Sequence, residues 1–149
     1  MQGTVVAVCT SLKKGTPKKP QEEVTLRPEW GVEGDAHAEN WHRQVSLLAE
    51  ESIAKMQAKG LKVRAGSFAE NLTTHGIDLL GLPVGSRVTV GSRVLLEITQ
   101  HGKICHEKCA IYYQAGDCVM PREGIFAKVI EGGPVRPGDT ICPMEGANP

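Results

Sequence analysis

The stretch Gln100–Gly124, QHGKICHEKCAIYYQAGDCVMPREG, holds three of the chain's five cysteines, Cys105, Cys109 and Cys118. They stand among His101, Lys103, His106, Lys108 and Arg122. Neighbouring cations favour thiolate over thiol, and the thiolate is the form that attacks electrophiles and ligates metals. Cys105 follows a polar, glycine-containing approach, HGKI, which argues against burial in an apolar core and makes it the candidate reactive group. Cys109 and Cys118 read as small buried hydrophobes, the commoner fate of a cysteine. A metal module built from Cys105, His106, Cys109 and Cys118 is a rival reading. Its spacing, C-x3-C-x8-C, lacks the C-x2-C knuckles usual at structural zinc.

A second concentration of chemistry is Trp30–Arg43, WGVEGDAHAENWHR. Asp35 and His37 are spaced to orient one another, and the planar fork of Arg43 suits a phosphate or carboxylate. The alternative is structural, with Asp35 bonding turn amides and the tryptophans filling core. His37 and His42 have no further ligand at zinc spacing. Glu70 and Asn71 are adjacent; in a strand they would face opposite sides, so that only one could line a given pocket. The lysine-rich SLKKGTPKKP reads as a solvated turn, with Lys13 or Lys18 meeting an anionic ligand as the functional alternative.

The elements that must position these groups are mostly strands. Val5–Val8 begins a first strand near Gly3, and Glu22–Leu26 and Gln44–Leu48 read as two more. AEESIAKMQAKG is a packing helix, with Ile53 and Met56 at helical spacing and Gly60 placed to end it. RVTV–GS–RVLLEIT predicts a hairpin with a two-residue type II′ loop at Gly91-Ser92 and core-facing Val94, Leu96 and Ile98. The Arg93–Thr99 strand puts Cys105 just beyond a strand end, where a rigid element can aim a loop side chain. Gly124–Ile130 is a further strand, Gly138 sits where positive φ is expected, and Thr140–Cys142 closes the sheet. Many short strands with one good helix predict a β-rich domain, most simply a barrel.

The chain has 149 residues, read as one domain with its core at about residues 3–143. Lysine plus arginine and aspartate plus glutamate both number 17, and aromatic residues make up 4%. That balance argues against a nucleic-acid binder. No apolar run approaches a bilayer span and the N-terminus lacks the pattern of a secretory signal, so no membrane association is expected. An odd number of cysteines in a chain with ample core fits a reducing, cytoplasmic setting.

GVEGDAHA, HRQVSLL, FAENLTTHGIDL, LPVGSRVTVG, a cysteine after LEITQHGKI, and GIFAKVIEGGPVRPGD occur in an order and spacing that resembles the MOSC domain, from about Val5 to Ile141. That family includes the C-terminal module of molybdenum-cofactor sulfurases and the amidoxime-reducing proteins. The resemblance implies a β-barrel with small helices that handles the pterin-based molybdenum cofactor (molybdopterin). The family's functional cysteine falls on Cys105, as molybdenum ligand or persulfide carrier; where many members carry a proline before it, this chain has Ile104. The cofactor's phosphate and pterin edge would call on Asp35, His37, Arg43, Asn71, Lys103 and Arg122. A cysteine desulfurase or a molybdoenzyme is the implied partner. No lysine sits in a Schiff-base setting, so pyridoxal-phosphate chemistry would belong to another chain. The alternative activity, molybdenum-dependent reduction of N-hydroxylated compounds, would need a separate electron donor.

Overall fold

The computed structural model describes residues 2–102 and 123–144. Cys105, Cys109, Cys118, His106, Lys103 and Arg122 lie outside the described residues.

The strands in chain order are β1 (Gly3–Thr10), β2 (Lys19–Gln21), β3 (Val24–Arg27), β4 (Gly31–Val32), β5 (Val45–Ala49), β6 (Leu72–His75), β7 (Arg87–Val90), β8 (Val94–His101), β9 (Ile125–Glu131), β10 (Gly133–Val135) and β11 (Thr140–Pro143). They run β11-β7-β8-β9-β5-β6-β1 around a closed barrel, with β11 also pairing β1 and β2 appended to β1's other register. Closure removes the free edges that an open sheet would expose. Within the barrel β5 and β6 are the parallel pair, which requires the crossover supplied by α1 (Glu50–Ala58). A small sheet, β10-β3-β4, stands beside the barrel.

The core follows the period-two patterning of β-branched and leucine residues. Val94, Leu96 and Ile98 are buried as expected, against Val8, Leu47, Leu72 and Ile141 in one cluster. The hairpin departs from expectation in its loop: Val90 pairs with Val94, so the connection is Gly91-Ser92-Arg93, three residues rather than two. Gly91 has φ +63, the positive value expected at the first loop position.

Helix α1 carries Glu50 and Glu51 in its first turn, where acidic groups suit the helix dipole. Gly60, at φ +90, closes it with its N–H on the Gln57 carbonyl. Its buried side chains, Ile53 and Met56, join Leu48, Phe68 and Phe126 in a second cluster outside the barrel wall. No helix among the described residues is long and apolar enough to cross a membrane.

Candidate functional site

The loop after β1 holds the chain's least expected side chain. Lys18 was expected in a solvated turn, but it is 3% exposed. Its ammonium uses all three hydrogens: on Ser11 Oγ at 3.1 Å, Asp35 Oδ1 at 2.8 Å and His37 Nδ1 at 2.9 Å. Because an ammonium can only donate, His37 Nδ1 must accept, which places the ring proton on Nε2. Asp35 also accepts from the Ser11 and His37 amides, at 3.0 and 3.1 Å. Burial pushes its carboxyl up, but the Lys18 bond and charge and the two amides outweigh it, holding Asp35 below the ordinary carboxylate range. So Asp35 and His37 do lie together, with Lys18 between their side chains. The direct approach of the imidazole to the carboxylate is 3.9 Å, too long for a hydrogen bond.

From His37 the contacts run on through the same loop. Trp41 Nε1 donates to the His37 carbonyl at 3.1 Å. The Arg43 guanidinium lies over the Trp41 ring at 4.5 Å and the Phe126 ring at 5.7 Å, and Lys14 reaches the other cation contact with Trp41 at 5.8 Å. Such stacking suits the weakly hydrated guanidinium plane. Arg43 Nε is buried with no hydrogen-bond partner among the described residues. Neither tryptophan fills core: Trp30 is 45% exposed and Trp41 half-buried. His42 sets its Nε2 on Gln100 Oε1 at 2.8 Å, and its carbonyl accepts from Thr99 Oγ1. His37 and His42 thus point to different partners. No group of three histidine, cysteine or carboxylate side chains among the described residues is placed to hold a metal.

Residues 42 and 43 therefore touch β8 and β9 close to where those strands lead into and out of the cysteine segment. Its base is pinned. Gly102 N–H bonds the Gly124 carbonyl at 2.6 Å, and Glu123 accepts from Ser52 Oγ at 2.7 Å and Lys55 Nζ at 3.0 Å on α1.

On its other side the Lys18 network forms part of the wall of a cavity of about 1130 Å³. Lys13, Lys18, Lys19, Lys62 and Arg64 line it together with the hydroxyl residues Ser11, Thr16 and Ser67. No carboxylate residue is among the described residues lining it. In a chain with zero formal net charge, that is a strong local excess of cation. Lys13 and Lys18 stand out in the sequence, whereas Lys62 and Arg64 join them only through the fold.

Asn71 is not among the residues lining this cavity. Its Oδ1 accepts from Ser46 N–H at 3.0 Å and Ser46 Oγ at 3.2 Å, and its Nδ2 donates to the Cys9 carbonyl at 3.2 Å. It ties β5 to β1 from a position 1% exposed. Glu70 is likewise buried, and neither residue is among those lining this cavity. Ala69, at φ +63, kinks the chain just before them, and regular strand begins only at Leu72.

The MOSC domain family model matches residues 33–142, well over half of the chain. The YuaD protein of Bacillus subtilis superposes with a TM-score of 0.78 at 18% identity, covering 95% of this chain and 94% of that one. YiiM of Geobacillus stearothermophilus gives 0.71 at 18% identity, covering 97% and 78%. YiiM of Escherichia coli gives 0.69 at 20% identity, covering 97% and 70%. At these identities the likeness speaks for the fold. Among curated proteins none matches the chain.

Proposed function

The chain belongs to the MOSC domain family, whose members are associated with handling of the molybdenum cofactor, and on that premise we propose that it binds the pterin-based molybdenum cofactor and acts on it through Cys105. The observation that carries this reading is the continuous path of contacts from the cationic cavity, through Lys18, Asp35, His37, Trp41 and Arg43, to the strand ends that bear residues 103–122. The donor set fits the group. Lys13, Lys19, Lys62 and Arg64 suit its phosphate as charged donors, and the hydroxyls of Ser11 and Thr16 supply further hydrogen bonds. Lys18 contributes rigidity rather than free charge, since its hydrogens are committed and Asp35 matches its ammonium. The polar pterin edge falls to His37 and Arg43, with Lys103 and Arg122 as further candidates from the cysteine segment.

The cofactor when bound supplies a soft, redox-active molybdenum centre. Cys105 meets it as a soft thiolate ligand, or as the carrier of a sulfur atom to be passed on. A cysteine desulfurase or a molybdoenzyme would be the partner in the second case, in a cytoplasmic setting.

The test is to incubate the protein with purified cofactor, desalt, and measure retained pterin by fluorescence and molybdenum by elemental analysis. Native protein should retain both. Lys62→Glu/Arg64→Glu should lose both, and Cys105→Ala should lose molybdenum while keeping pterin if Cys105 is a ligand. Equal retention by Cys105→Ala with a persulfide trapped on native Cys105 assigns the carrier role. Failure of native protein to retain pterin overturns the proposal.

A further inference from the structure

Glu70 is 0% exposed, beneath the turn that carries Arg64 and Ser67 to the cavity wall. Its Oε2 accepts from Gly66 N–H at 2.8 Å and from Thr73 Oγ1 at 2.6 Å. The Gly66 carbonyl in turn accepts from the Lys18 amide at 2.8 Å. One carboxyl thus holds the turn from below, and through the same glycine it holds the backbone of Lys18. Ser67 and Arg64 close the turn through two further bonds, of 3.0 and 2.9 Å.

The other oxygen, Oε1, is buried with no partner among the described residues. An ionised carboxylate with a stranded oxygen and no cation on it is costly at full burial, whereas the neutral acid avoids most of that cost. Among the described residues the Cys9 thiol on β1 lies within electrostatic reach of both Glu70 and Lys18, and the ammonium of Lys18 is already matched by Asp35. Thr73 of β6 presents its hydroxyl to the carboxyl.

We infer that Glu70 positions the 64–67 turn of the cationic cavity as an uncharged acid, and that oxyanion binding in the cavity is therefore linked to the proton Glu70 carries. The inference rests on the cavity being the anion end of the site proposed above. Burial pushes the Glu70 carboxyl above the ordinary carboxylate range, and the Gly66 and Thr73 hydrogen bonds, with the backbone amides of Glu70 and Phe68, offset only part of that push. Once the proton leaves, a negative charge lies under the cations and is poorly screened there, so bound anion and ionised Glu70 oppose one another. By linkage, anion affinity falls as pH rises through the titration of Glu70.

Sulfate is the probe, because it remains a dianion between about pH 5 and pH 9. Calorimetry of wild type and Glu70→Gln across that range separates Glu70 from other groups, His37 included, because the glutamine keeps an acceptor for Gly66 but has no proton to lose. Wild-type affinity should fall at least threefold more than that of the variant, and the two should agree within about twofold at the acid end. Superimposable profiles would overturn the inference while leaving the cavity reading intact; absence of sulfate binding at every pH would overturn the cavity reading itself. If Glu70→Gln does not fold, wild type labelled with carbon-13 at glutamate carboxyls decides the matter. One carboxyl should titrate well above the others and shift on sulfate addition, and its absence refutes the inference.

Discussion

Asp35→Asn should be among the more damaging single-atom exchanges in this protein, because Lys18 and Asp35 form a pair whose side chains are both 0% exposed. The carboxylate accepts three bonds besides its charge partner's field: Lys18 at 2.8 Å and Ser11 N–H at 3.0 Å on Oδ1, and His37 N–H at 3.1 Å on Oδ2. An asparagine offers one acceptor oxygen. If that oxygen serves Lys18 and Ser11, the amide nitrogen faces the His37 N–H, donor to donor, and the ammonium remains buried without a countercharge. Breaking a buried pair from one side costs about 3–5 kcal/mol. At this chain length the lower figure corresponds to a fall in Tm of roughly 6–12 °C. The pH dependence supplies a second, independent signature. The folded-state pKa of Asp35 is lowered, so its stabilisation is present above the ordinary carboxylate pKa and is lost as pH falls through the folded value. Urea unfolding from neutral to acid pH should show this acid-side loss in wild type and a flatter limb in Asp35→Asn. Lys18→Met/Asp35→Leu should recover much of the difference, since a buried pair is replaceable by matched apolar groups. A destabilisation of Asp35→Asn below about 1 kcal/mol, or an unchanged acid limb, would refute the reasoning.

Asn71→Ala removes three buried hydrogen bonds and strands the Ser46 amide and the Cys9 carbonyl, at a cost of about 3 kcal/mol; chemical denaturation should show it, and a loss under about 1 kcal/mol would count against a tying role. Cys9 is 0% exposed, and burial first, then the neighbouring Glu70, push its thiol up to about 12 against a smaller downward pull from Lys18. Iodoacetamide near neutral pH should therefore leave Cys9 unmodified in folded protein and modify it in urea, by peptide mass spectrometry; rapid labelling of folded protein would contradict the described packing.

What could be read from the sequence and what could not divide along a physical line. Period-two patterning places Val94, Leu96 and Ile98 in the core, and a glycine past a short amphipathic run ends α1 at Gly60; both signals are local. β2 and β4 are three and two residues long, too short to show any period, and exist because longer partners hold them. Lys18 looks like its neighbours in a lysine-rich loop, since the groups that bury it, Asp35 and His37, come 17 and 19 residues later. The alternation expected of adjacent strand residues does not apply at Glu70 and Asn71, because Ala69 is in the left-handed region and the strand has not yet begun. The cationic cavity is hidden for the same reason as Lys18: SLKKGTPKKP reads as a solvated turn, and its charges add to those of Lys62 and Arg64 only when the turn at Gly66 bonds to Lys18. The strands that flank the segment whose chemistry is plainest in the sequence, around Cys105, and the cavity that the sequence conceals are joined through residues 35–43. That places the burden of the proposed function on a network whose strongest member, the Lys18–Asp35 pair, is also the one whose removal the stability measurements above would register first.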